Sequence, residues 1–132
     1  GGVLETDLAL KSLLRTLYQR RLPFVYEMGT RIAPEDLEAG RWLYAFAVYF
    51  PLRRACGGSL CALRPAGKYL RAIHQGPYET VGQTYAAMLA HAKAQGLRLA
   101  GGSYERCIWD SMTARDPAAY RTELLLPVET SP

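Results

Sequence analysis

The chain has 132 residues, with 16 Lys and Arg against 12 Asp and Glu, a formal net charge of +4. At 49% hydrophobic and 21% charged it suits one folded domain over residues 1–132, since a disordered chain needs low hydrophobicity and high net charge. The longest apolar stretch, Trp42 to Leu52, falls short of the ~20 residues that cross a bilayer. No basic segment followed by an apolar one opens the chain like a secretory leader. A cytoplasmic protein without membrane contact is expected.

The first element read along the chain is an amphipathic helix from Leu4 to Arg21, with Leu10, Leu13, Leu14 and Leu17 on one face. Pro23 stops it. Phe24 to Ile32 reads as a strand, and Pro34-Glu35-Asp36 to Gly40 as a polar connection. Trp42 to Phe50 is the clearest strand, apolar on both faces and therefore expected in the centre of its sheet. Leu60 to Leu63 adds a short edge strand. Lys68 to His74 alternates as a strand, and Gly76-Pro77 opens a second helix that runs to about Gln95. Its apolar stripe is Val81, Tyr85, Met88, Leu89 and Ala92, and Gly96 follows as its terminator. Leu97 to Leu99 leads to a strand from Tyr104 to Trp109, and Tyr120 to Val128 is the last strand. This order predicts an α+β fold: βαββ units in tandem forming an antiparallel sheet groove with two helices, the opening strand of the first copy absent or truncated.

The residues exclude several chemistries. Cys56, Cys61 and Cys107 lack Cys-x-x-Cys spacing, so they are expected as reduced thiols without zinc. No nucleophile elbow, phosphate loop or dinucleotide fingerprint occurs, so no metal and no cofactor is expected. The densest cation pairs, Arg20-Arg21 and Arg53-Arg54, lie outside any helix-turn-helix pattern, which leaves direct nucleic-acid binding without support.

Glu105 stands out. On an alternating strand it shares a face with Cys107 and Trp109, and a carboxylate on an apolar face is costly unless paired. Its partner could be Arg71, Arg121 or a tyrosine hydroxyl; alternatively the face is wet. Tyr26, Trp42, Tyr44, Tyr69, Trp109 and Tyr120 could line a pocket that recognises flat or cationic ligands through their π faces. His74, at a strand end, reads as a side chain that fastens a turn, and His91 as solvated.

Gly67-Lys68-Tyr69, His74-Gln75-Gly76-Pro77-Tyr78-Glu79 and Thr84-Tyr85 resemble the GyrI-like, bacterial transcription-activator effector-binding domain. So do Tyr104-Glu105-Arg106, Tyr120-Arg121-Thr122-Glu123-Leu124 and Leu126-Pro127-Val128. The resemblance implies a duplicated βαββ fold with a ligand groove, either as the sensor of MerR-type and AraC-type regulators or standing alone. It places Glu105 at the bottom of an aromatic pocket for lipophilic cations, with Tyr120 as a pocket tyrosine. A second acid found two residues before that tyrosine in some members is replaced here by Ala118. It further implies a small-molecule effector, DNA contact only through a domain absent from this chain, and a homodimeric parent regulator. The resemblance leaves two other roles open: a hydrolase of strained-ring electrophiles, with Glu105 beside Tyr120 or Trp109, and a gyrase-inhibitor-type protein-binding module.

Overall fold

The computed structural model describes residues 3–22, 28–52, 61–109 and 115–131, with residues 3–7 and Trp109 described by their backbone alone. Helix α1 spans Val3–Gln19. It ends where Arg21 adopts φ 52° and the amides of Arg21 and Leu22 turn back to the carbonyls of Tyr18 and Leu17. This is the 5→2 and 6→1 closure that satisfies the last free carbonyls of a helix. Of the strand expected over Phe24–Ile32, β1 occupies Gly29–Ile32; residues 23–27, Tyr26 among them, lie outside the described residues.

The expected polar connection is instead a short helix, α2 (Pro34–Glu38). Proline in its first turn beside Glu35 and Asp36 is a helix-start signal, because proline has no amide to waste and the acids face the positive end of the dipole. The turn inserts Leu37 into the core, fully buried.

Strand β2 (Ala45–Tyr49) is shorter than the expected Trp42–Phe50 and stands at one end of the sheet rather than at its centre. Its two-sided apolar pattern has another cause: α1 packs against β2, while Tyr44 and Phe46 stay exposed at the surface. Residues 61–67 form no strand, contrary to the expected edge strand.

Strand β3 (Lys68–Gln75) leads through a 3-10 turn at Tyr78–Thr80 into helix α3 (Val81–Ala94). The expected stripe holds: Val81, Tyr85, Met88 and Ala92 are buried, and Gly96 follows at φ +69°. Strands β4 (Leu97–Leu99), β5 (Tyr104–Trp109) and β6 (Arg121–Thr130) complete the chain. Tyr120 is excluded from β6 because it caps a 3-10 turn at Pro117–Ala119.

The strands form one open antiparallel sheet of six, in the order β2-β1-β5-β6-β3 with β4 also on β6. Strands β4 and β5 lie end to end along one side of β6, Leu99 opposite Val128 and Tyr104 opposite Leu125. The second half supplies β3, α3, β5 and β6, the expected βαββ order with β4 added. The first half supplies α1, β1 and β2, and no strand precedes α1 among the described residues. The halves meet where β1 pairs with β5, Gly29 opposite Arg106 and Thr30 opposite Glu105. One core fills the space beneath α3: Ile32, Leu37, Val81, Tyr85, Met88, Leu124 and Leu126. No described helix is long and apolar enough to cross a membrane. Cysteine usage differs from expectation at Cys61, which is disulfide-bonded, whereas Cys107 is outside any disulfide, as expected.

The seam between the halves is tight. Ser103 donates its amide to the Ile32 carbonyl at 2.9 Å, and its hydroxyl accepts from the Ile32 amide at 3.2 Å. A Cβ on the neighbouring Gly102 would stand 2.5 Å from the same carbonyl oxygen. That atom is backbone and cannot swing aside. Gly102→Ala is therefore expected to lower stability by about 1–3 kcal/mol through overpacking, read as an earlier urea midpoint; an unchanged midpoint would show that the seam is loose.

Candidate functional site

Alternation along β5 sends Tyr104 and Glu105 to opposite faces of the sheet. Glu105 points beneath α3 and is 1% exposed. Three hydroxyls from three separate elements donate to its carboxylate. Thr30, directly across on β1, and Tyr78, in the 3-10 turn, both reach Oε1, the tyrosine at 2.6 Å. Tyr85, from α3, reaches Oε2 at 2.6 Å. Of the partners considered from sequence, the tyrosine hydroxyl is the kind observed. Arg71 instead pairs with Glu123 at 2.8 Å, and Arg121 donates to the carbonyls of Ala118 and Tyr120.

Tyr78 is held by the turn that His74 fastens. The buried imidazole bonds Thr84 Oγ1 at 2.6 Å through Nδ1 and Thr80 Oγ1 at 2.8 Å through Nε2. Thr80 Oγ1 in turn donates to the Pro77 carbonyl at 2.7 Å. Gly76, at φ +115°, makes the sharp exit from β3 that a side chain would strain. So the His74-to-Tyr78 segment delivers one phenol to one carboxylate. His91 lies exposed on α3.

Trp42 covers the second tyrosine. Its ring stacks on Tyr85 with centroids 5.6 Å apart and planes 13° from parallel. Gly82 makes room for it, since a Cβ there would stand 2.3 Å from the indole Cδ1.

The electrostatics follow from burial. Removal from water pushes the Glu105 carboxyl above its ordinary value, and the bonds from Thr30, Tyr78 and Tyr85 pull it only part of the way back. Burial, with the carboxylate as a second cause, drives Tyr78 and Tyr85 far above the ordinary phenol range, so both keep their protons. Tyr49, whose hydroxyl donates to the Glu105 carbonyl at 2.9 Å, is pushed up to about 12, chiefly by burial.

The other sequence candidates stand elsewhere. Tyr44 is 54% exposed. Tyr69 lies across the sheet, edge-on to Tyr104 at 6.4 Å, with its hydroxyl on the Pro65 carbonyl. Tyr120 gives its carbonyl to the Gly76 amide at 2.9 Å, and the Glu105 carboxylate takes its bonds from other residues. The backbone of Trp109 pairs with Arg121, and Tyr26 lies outside the described residues. Thus Glu105 and Trp42 come together in one place, and Thr30, Tyr78 and Tyr85 join them unforeseen. One signal was available for Tyr85: a tyrosine within an apolar helical stripe must find its hydroxyl a partner in the core. Among the described residues no three of His, Cys, Asp and Glu converge as a metal site would require.

The fold and the enclosed acid define a small α+β binding domain. The family profile of the GyrI-like small molecule binding domain matches residues 63–129, just over half of the chain. The chain belongs to that family. No curated protein matches the chain.

The raised carboxyl has a consequence for stability. Below the ordinary value near 4.5, Glu105 is neutral both folded and unfolded. Above it the unfolded chain ionises while the folded chain keeps its proton. Stability then falls by up to about 1.4 kcal/mol per pH unit until the folded group ionises as well. The stability difference between the native protein and Glu105→Gln should therefore shift against the native protein as pH rises from about 4 to 8 in urea titrations. A difference independent of pH would refute the shift.

Because the Tyr85 hydroxyl favours the ionised form, Tyr85→Phe should raise the Glu105 pKa further. Carboxyl-carbon NMR through the titration reads this directly, and a fall would contradict the assigned bond.

Proposed function

We propose that this domain is the effector sensor of a bacterial transcriptional regulator, binding amphipathic aromatic cations around Glu105. A DNA-binding domain elsewhere in a homodimeric parent would read out the occupied state. The observation that carries the reading is a carboxylate fully enclosed at the seam of the two halves and, among the described residues, held by hydroxyls alone. An ion-paired carboxylate has spent its charge on its partner. One held by hydroxyls has no counter-charge beside it, so its ionised form is left for a cationic ligand to stabilise, and the low dielectric around it magnifies the attraction. Tyr85 and Trp42 then offer π faces to a cation's rings.

The same three hydroxyls serve the empty state. When Glu105 is neutral it becomes a donor, and one hydroxyl must turn to accept from it. A bound cation restores the ionised form and with it all three donated bonds. Ligand binding is thus expected to release a proton wherever the empty site holds Glu105 neutral.

Tetraphenylphosphonium and neutral triphenylphosphine oxide make a suitable pair of probes, followed through tryptophan fluorescence, since Trp42 already stacks on Tyr85. The cation should quench saturably, and Glu105→Gln should weaken it about tenfold or more, equivalent to ~1.4 kcal/mol, while the neutral compound changes little. Equal losses for both probes would remove the electrostatic role. No saturable binding of either would remove the site.

A further inference from the structure

The opposite face of the same strand carries the reverse chemistry. Arg31 follows Thr30 on β1 and therefore lies beside Tyr104, with its guanidinium carbon 4.0 Å from the Tyr104 ring centroid and 5.1 Å from that of Phe46. Arg64 approaches from the segment before β3, at 5.9 Å from Tyr104 and 5.6 Å from Tyr69. Both cations border a groove of 780 Å³ whose walls include Leu13 and Leu17 of α1, Val48 and Tyr49 of β2, and Leu63. That volume falls within the ~300–1,000 Å³ typical of small-molecule sites.

Two features point to the occupant. Arg31 and Arg64 are the charged side chains of the lining, and no carboxylate stands among the described residues there. Other arginines of the sheet are paired: Arg71 and Arg106 with Glu123, and Arg98 with Glu129. Arg31 instead makes long bonds to the carbonyls of Ser103 (3.3 Å) and Gly102 (3.5 Å), and Arg64 rests on aromatic rings. A guanidinium laid over a phenol ring keeps its in-plane N–H edge for another acceptor, and that edge matches a carboxylate bidentately.

We propose that this groove is a second binding site, selective for planar aromatic carboxylates. The two guanidiniums take the carboxylate, Tyr104 and Tyr49 flank the ring system, and the leucines of α1 with Val48 bury its far side. The site shares β5 with the Glu105 pocket but none of that pocket's side chains, so it stands whether or not the pocket binds cations.

The test compares 2-naphthoate with 2-naphthylmethanol and 2-naphthylmethylammonium by calorimetry, with amide shifts followed by NMR. The naphthoate should bind about tenfold or more tighter than either analogue, and its shifts should centre on Arg31, Phe46 and Tyr104 rather than on Tyr78 and Thr84. Arg64→Gln alters an exposed residue and should fold normally while weakening the anion severalfold. Arg31→Gln with Arg64→Gln should abolish the preference for the anion. Equal affinity for the three compounds, shifts centred on Tyr78 and Thr84, or undiminished anion binding in the Arg64→Gln protein would overturn the proposal.

Discussion

The burial of one carboxylate is the constraint on which the rest of this structure depends. Glu105 is enclosed by apolar side chains and cannot remain there without donors, so three elements each contribute one. Thr30 comes from the first half of the chain, Tyr78 from a turn, and Tyr85 from α3. Each bond ties its element to β5, and loss of any donor leaves a buried acceptor short, at a cost of about 1–3 kcal/mol. The buried His74 belongs to the same device at one remove. Its bonds to Thr80 and Thr84 set the turn, and the turn sets Tyr78. A histidine with no contact to the carboxylate thereby becomes a positioning residue for it.

The choice of hydroxyls over guanidinium matters physically. An arginine partner would hold Glu105 ionised to well below its ordinary pKa and neutralise its charge at once. Hydroxyls can donate to the charged form and can also accept from the neutral one, so both protonation states are tolerated at modest cost. Arg71 and Arg106 are turned to the other face by strand alternation, where Glu123 holds them. The pleat of β5 and β6 thus separates ion-paired chemistry from hydroxyl-held chemistry on two sides of one sheet.

Some of this was legible in the residues alone. A glutamate on an apolar strand face is an anomaly that any alternation pattern exposes, and the stripe of α3 is unmistakable at its spacing. The donors were hidden because their proximity is topological: Thr30 lies 75 residues from Glu105, and only the pairing of β1 with β5 unites them. Tyr85 was visible as core but not as donor, because helical periodicity reads a ring and is blind to its hydroxyl. Trp42 and Tyr44 were read as strand residues, since an unbroken apolar run gives no boundary. The chain instead spends Arg41–Tyr44 on a turn after α2, with the Tyr44 amide on the Arg41 carbonyl. That shift frees Trp42 to leave the strand and lie on Tyr85, while Tyr44 goes to solvent.

A fully covered Glu105 means that any ligand reading of this pocket requires something to move, and the packing ranks the alternatives. Helix α3 anchors Val81, Tyr85, Met88 and Ala92 in the core, and lifting it would expose side chains worth about 1.5–3 kcal/mol each for the larger ones. The segment after α2 is held more lightly. Ala39, Gly40 and Arg41 are exposed, and Trp42 is only partly buried, stacked on Tyr85 at the edge of the core. Such a stack contributes about 0.5–1.5 kcal/mol beyond its buried area. An entering aromatic ring can replace it face for face. On the proposed reading, Trp42 is therefore the residue a ligand can displace while recovering most of the lost interaction, and Gly82 leaves that surface of α3 smooth enough for either ring to occupy.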